Sequence, residues 1–233
     1  MKKIVEIPFD IEGRFLERKN RFLGTVKLFD SQKQVDVHVR DPGRLHEILY
    51  EGNRVLLKKV DKKGRKTDHD LVAGKVGDDW ILVNSGYHRM IMEKIFEDDE
   101  MNPIKGMDSF IPEQKLGASR IDFLVDRNGN RVWVEVKGCT LAEDGVALFP
   151  DAPTTRGKRH LEELIKVEDD AAVIFLIFRP DAECFLPYEE RDPDFSSTFY
   201  EAVESGVEFH AVQLEYVDGV LYHKGEIPIC EEG

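Results

Sequence analysis

Asn128-Gly129, set between two runs rich in β-branched and aromatic residues, constrains this chain more than any other pair of neighbours. Both central positions of a type I′ turn need left-handed backbone, which Asn and Gly tolerate, so the pair predicts a two-residue β-hairpin. Register then follows from symmetry about the turn. Arg127 faces Asn130, Asp122 faces Glu135 and Arg120 faces Lys137, the last two pairs on one face because side chains alternate along a strand. The other face carries Ile121, Phe123 and Val125 against Val132, Val134 and Val136, an apolar surface fit for a core.

Two carboxylates directly opposite each other, with Cβ atoms about 4.5–5.5 Å apart, repel and weaken the strand pair. A divalent cation between them removes the objection, since carboxylate oxygens are natural ligands of Mg²⁺ and Mn²⁺. The pattern therefore marks Asp122 and Glu135 as candidate metal ligands, with Lys137 directed at a substrate phosphate or an attacking water. The competing reading is a solvated lattice in which Arg120 and Lys137 neutralise the two acids.

A chain of 233 residues with 41% hydrophobic content can hold one large or two small cores. No apolar run is long enough to cross a bilayer, and Glu6 and Pro8 interrupt any signal-like core after Met1, so the expectation is a cytoplasmic protein without a membrane partner. Cys139, Cys184 and Cys230 are far apart and odd in number; they read as reduced thiols without zinc spacing. The net charge of −13 is divided unevenly. Residues 1–84 hold 18 Lys and Arg against 14 Asp and Glu, and the remainder holds 15 against 32. That asymmetry predicts two domains, 1–84 and 85–233.

Residues 1–84 read as all-β, with strands at 14–17, 22–29, 35–40, 54–60, 70–76 and 80–84 and a helix over 43–50 opened by the Asp41-Pro42-Gly43 turn. Short strands interrupted by one helix predict an OB-like barrel, a fold that often binds oligonucleotides. Basic residues cluster at Arg14, Arg18, Lys19 and Arg21, beside Phe15 and Phe22, and again around Lys58–Lys66, including Lys62 and Lys63. A helix over 87–96 carries Glu93 and turns Ile91, Met92 and Ile95 inward, and 103–112 reads as irregular. After the hairpin come a strand at 146–149 and a helix at 156–166 capped by Thr154 or Thr155, with Arg156, His160 and Glu163 along one stripe. Ala172–Phe178 is seven apolar residues, a strand buried on both faces. A helix at 196–205, a strand at 207–216 and a last strand after Asp218-Gly219 complete a mixed sheet flanked by helices, so the fold class is α/β, or α+β overall.

Ser119-Arg-Ile-Asp-Phe, Val134-Glu-Val-Lys-Gly, Thr140-Leu-Ala-Glu, Phe149-Pro-Asp-Ala and Thr155-Arg-Gly-x-x-His160-Leu occur in an order that resembles the sugar fermentation stimulation protein A family. The resemblance covers nearly the whole chain and is strongest from Glu113 to Leu164. It implies an OB-like N-terminal domain, a C-terminal domain similar to PD-(D/E)XK nucleases, and DNA binding linked to sugar metabolism. It places Asp122 at the motif Asp and Glu135-Val-Lys137 at the Glu-x-Lys, the trio that the hairpin register reaches independently. Glu93 would match a helical acid that some relatives add to the metal shell, and Arg156 and His160 would orient phosphate. Asp41 departs from the Asn-containing turn expected there, while Arg40 and Arg44 favour nucleic-acid contact.

Two functions follow as expectations. One is a nucleic-acid-binding protein that hydrolyses phosphodiesters with Mg²⁺ or Mn²⁺ held by Asp122 and Glu135, its barrel gripping backbone and stacking bases on Phe15 or Phe22. The other is a DNA-binding regulator that keeps the nuclease fold as scaffold. DNA, duplex or single-stranded, is the expected partner, and RNA stays open because OB folds accept either.

Overall fold

The computed structural model describes residues 1–60 and 64–230, so Lys62 and Lys63 lie outside the described residues. In chain order the strands are β1 (Lys2–Glu6), β2 (Ile11–Asn20), β3 (Leu23–Leu28), β4 (Gln34–His38), β5 (Arg54–Lys59), β6 (His69–Val76) and β7 (Asp79–Leu82). Helix α1 (His88–Phe96) follows, then β8 (Met107–Leu116), β9 (Ser119–Arg127), β10 (Asn130–Cys139), β11 (Leu141–Glu143) and β12 (Val146–Phe149). The chain continues with α2 (Thr155–Ile165), β13 (Asp170–Ile177), β14 (Cys184–Pro187), α3 (Pro193–Glu204), β15 (Glu208–Val217) and β16 (Val220–Ile227).

Strands β2 to β6 form a five-stranded barrel. Antiparallel neighbours run β4-β3-β2-β5-β6, and a parallel contact of Val37 and His38 with His69 and Asp70 closes the ring. This is the OB-like barrel expected from the sequence, but without its helix. Residues 43–50 make turns instead: Leu45 adopts a left-handed φ of 53°, and the Leu49 N–H returns to Leu45 O at 2.7 Å. Arg18 accounts for much of that shape, because its guanidinium donates to the carbonyls of Arg21, Asp41, Gly43 and Arg44.

The second layer is a mixed sheet, β15-β13-β10-β9-β8, with β16 on β15 and β1 on β16. The first strand of the chain thus pairs with the last, a long-range contact that local sequence patterns do not announce. Trp80 of β7 pairs with Tyr216 of β15, joining barrel and sheet. Strand β13 sits between two parallel partners, which explains its apolar run directly. Ala172, Ile174, Leu176 and Phe178 enter the core shared with the barrel and α1, while Ala171, Val173, Phe175 and Ile177 enter the core under α2 and α3. Residues 107–112, expected to be irregular, belong to edge strand β8, where Pro112 removes no needed ladder bond.

The cysteine expectation is corrected. Cys184 and Cys230 form a disulfide, and only Cys139, buried, is a free thiol among the described residues. The cause is topological: Phe185 N–H donates to Pro228 O and Cys230 N–H to Phe185 O, both at 2.9 Å, which brings the tail beside β14. A separation of 46 residues concealed this.

Candidate metal centre

The β9–β10 hairpin is a type I′ turn, with φ of 53° at Asn128 and 82° at Gly129. Its ladder holds the expected register from Arg127–Asn130 through Phe123–Val134 and then ends. Beyond that point β10 continues beside β13, with Glu135 opposite Val173 and Lys137 opposite Phe175, while β9 continues beside β8. Three expectations fail there. Asp122 and Glu135 lie beyond the last ladder pair and are not direct cross-strand partners. Arg120 pairs with Lys115 and reaches Glu113 at 3.3 Å rather than facing Lys137. Ile121 packs under the helices, on the opposite side from Phe123 and Val125.

The splay opens the site. Asp122 fills it with its own carboxylate, Oδ2 accepting the Val136 N–H at 2.8 Å in place of a ladder bond. Glu135 projects toward α2 and is 3% exposed. Its Oε1 lies 2.5 Å from both Lys137 Nζ and His160 Nδ1. Arg156 Nε donates to His160 Nε2 at 3.3 Å, which leaves the imidazole proton on Nδ1 to donate to Glu135. Glu135 Oε2 is buried and has no hydrogen-bond partner among the described residues.

Electrostatics separate the two acids. Burial first, then the Glu135 charge, pushes Asp122 up to about 6 against the opposing Val136 N–H, Lys137 and His160. Burial also disfavours ionised Glu135, but the Lys137 charge and the His160 hydrogen bond outweigh it and hold that carboxyl below its usual range. One ionised carboxylate with an orphaned oxygen beside a second that resists ionising is the arrangement a divalent cation relieves. Each acid has one oxygen held by protein and a second left over, so the residues present fit such an ion.

Around this pair lies a cleft of about 720 Å³ between barrel and sheet. Arg21, Asp41 and Gly43 line it from the barrel, and Asp151, Thr155 and Arg156 from the α2 side. Among the expected nucleic-acid contacts, Arg21 and Arg156 reach this cleft and are exposed. Arg44 is exposed beside it. Arg40 turns to Asp70 at 3.5 Å, and Arg14 lies 5.9 Å from the Phe29 ring while donating to Gly52 O. Arg18 directs its donors to backbone carbonyls. His160 is 1% exposed, so it touches Glu135 and not solvent. Phe15 is 1% exposed and belongs to the barrel core, whereas Phe22 is 51% exposed. Glu93 is bonded to Arg89 at 2.8 Å, and among the described residues no third His, Cys, Asp or Glu completes a metal-binding group with the acid pair.

Four cleft residues have no role assigned from the sequence. Glu113 has a left-handed φ of 55° and is held by Arg89 and Arg120, each at 3.3 Å. His88 stacks on Phe178, and burial pushes its imidazole down to about 4. A Cβ on Gly138 would stand 2.3 Å from the His88 ring, so the glycine after Lys137 permits that approach; an isolated Gly in a strand was the available signal. Asp41, at the barrel edge, is pushed up to about 6 by burial despite a hydrogen bond from Gly43 N–H.

Known proteins share this architecture. Residues 16–83 match the model of the SfsA N-terminal OB domain, and 86–219 match that of the sugar fermentation stimulation protein RE domain. A sugar fermentation stimulation protein homolog of Methanococcoides burtonii is 45% identical over 98% of this chain and 96% of its own length. One from Thermotoga neapolitana is 44% identical over 98% and 99%. The structure of Pyrococcus furiosus SfsA in complex with Ca²⁺ superposes with a TM-score of 0.90 at 29% identity, covering 99% of this chain and 100% of that one. The chain therefore belongs to the sugar fermentation stimulation protein (SfsA) family.

Proposed function

We propose that this protein is a nucleic-acid-binding, divalent-metal-dependent nuclease whose metal centre is built on Asp122 and Glu135. The observation that carries the reading is Glu135 Oε2, buried without a partner among the described residues, beside an acid pushed up to about 6. The splayed strand pair with an Asp, a Glu-x-Lys and a helix packed behind it resembles PD-(D/E)XK enzymes, and the Ca²⁺ complex of the Pyrococcus relative supports a hard, oxygen-ligated ion. When bound, Mg²⁺ or Mn²⁺ supplies Lewis acidity at a phosphoryl oxygen and lowers the pKa of an attacking water.

The chain's own residues do the rest. His160 and Lys137 both hold Glu135 Oε1, which fixes the carboxylate and leaves Oε2 as the oxygen that would hold the ion. Asp122 Oδ2 is held by Val136 N–H, and Oδ1 would be its oxygen for the ion. Lys137 Nζ stays within the cleft and donates to a non-bridging phosphate oxygen when substrate displaces part of its contact with Glu135. Arg21 and Arg156 hold flanking phosphates at the two walls. Residues 1–84 then grip nucleic acid and residues 85–233 cut it. No helix among the described residues is long and apolar enough to cross a membrane.

A DNA-binding regulator of sugar metabolism without cleavage is the second reading, favoured by the Lys137–Glu135 contact, which satisfies half of that carboxylate without any ion. A time course with labelled DNA and RNA in Mg²⁺ or Mn²⁺, wild type beside Glu135→Ala, decides between them. Metal-dependent cleavage by wild type alone is expected. Binding without cleavage in either metal would leave the regulator.

A further inference from the structure

The acid pair lies at the floor of the cleft. The Glu135, His160 and Lys137 side chains are 4%, 2% and 11% exposed, so a phosphate reaches them only by entering. A volume of about 720 Å³ is on the scale of a small-molecule site.

The walls are also fastened. Leu45 N–H donates to Asp151 Oδ2 at 3.1 Å, tying the barrel loop to the opposite wall. Gly43 presses so closely on the Asp151 carboxylate that a Cβ would stand 2.4 Å from it. The Arg18 guanidinium holds the carbonyls of Asp41, Gly43 and Arg44 together with that of Arg21, so this loop cannot swing away from the rest of the barrel without stripping a half-buried cation of its acceptors.

At the mouth the chemistry suits an unpaired strand. Arg21 belongs to no ion pair among the described residues and faces the cleft opposite Arg156. Phe22, beside it in the β2–β3 turn, leaves 51% of its surface exposed, an aromatic platform of the kind on which unpaired bases stack and paired bases do not. A net charge of −13 and the acidic groups Asp41, Asp151 and Glu113 in the cleft also disfavour the denser charge of a duplex.

We propose that the cleft admits one unpaired nucleic-acid strand, with a phosphate held at Arg21 and at Arg156 and a base stacked on Phe22. The inference rests on the nuclease reading for its chemistry but concerns which substrate enters. The test measures fluorescence anisotropy in Ca²⁺ and cleavage in Mn²⁺ for four probes: single-stranded DNA, the same sequence as RNA, a blunt duplex, and that duplex with a single-stranded overhang.

Strand and overhang are expected to bind about tenfold or more tightly than the blunt duplex, with Phe22→Ala and Arg21→Ala each losing about tenfold on strands alone. Both residues are exposed, so the variants keep the wild-type melting temperature. The DNA and RNA arms identify the sugar accepted. Blunt duplex bound and cut internally as well as the strand would overturn this proposal and leave the nuclease standing. Strand-selective binding with no cleavage would uphold the proposal and remove the nuclease. Absence of binding to every probe would overturn the proposal.

Discussion

Asp122→Asn should stabilise the metal-free protein. The Asp122 carboxyl is pushed from 3.8 up to about 6, chiefly by burial and then by the Glu135 charge. A folded carboxyl raised in this way favours the protonated form, so its contribution to stability is greatest below pH 4, falls through the interval from 4 to 6, and is fully lost above it. A displacement of that size corresponds to about 2–3 kcal/mol of penalty at neutral pH. The group is largely buried, so solvent screening reduces that figure little. Asn keeps an oxygen to accept the Val136 N–H that Asp122 Oδ2 now receives at 2.8 Å. For a chain of this length, 2–3 kcal/mol is about 5–10 °C in Tm. Thermal unfolding in EDTA should therefore place Asp122→Asn above wild type at pH 8, with the gap closing toward pH 4. Adding Mn²⁺ at pH 8 should raise the wild type by linkage and leave the variant unmoved. A variant no more stable than wild type at pH 8, or equally stabilised at both pH values, would refute the claim that the paired acids are held at a cost the metal relieves.

Other perturbations probe the surroundings. His160→Leu removes the donor to Glu135 Oε1 and should weaken Mn²⁺ binding about 10–100-fold by calorimetry; unchanged affinity would make His160 a packing residue only. Gly138→Ala forces a Cβ into the His88 ring, which Phe178 backs, and should cost about 1–3 kcal/mol in urea unfolding. Cys230→Ser opens a loop of 46 residues and should lower stability by about 3–4 kcal/mol. Reductant should lower wild type by the same amount and leave the variant unchanged.

Much of the architecture was legible because it was local. Asn128-Gly129 dictated its turn, and alternation placed the barrel strands and the doubly buried β13. What alternation does not encode is where a strand exchanges one partner for another. The ladder ends at Phe123–Val134, so Asp122 meets Val136 N–H, Arg120 leaves Lys137, and Ile121 changes sides. The β1–β16 pair and the Cys184–Cys230 bond depend on the chain's ends meeting distant strands, and no short-range pattern marks either. Within the candidate site the acids stood out as residues that a sheet built for stability would not pair, although the ladder ends before it pairs them. His160 was expected at phosphate and is found against Glu135, because a helical stripe shows which residues align and not what α2 presses them onto.

Asp122 and Glu135 together holding one divalent cation is the central claim. Titrating Mn²⁺ into the metal-free protein at pH 8 by calorimetry, wild type beside Glu135→Gln and Asp122→Asn, tests it most directly. One site in wild type and none in either variant is the expected result. Equal binding by all three proteins, or none by wild type at millimolar metal, would contradict the claim and leave the pair as a buried structural contact.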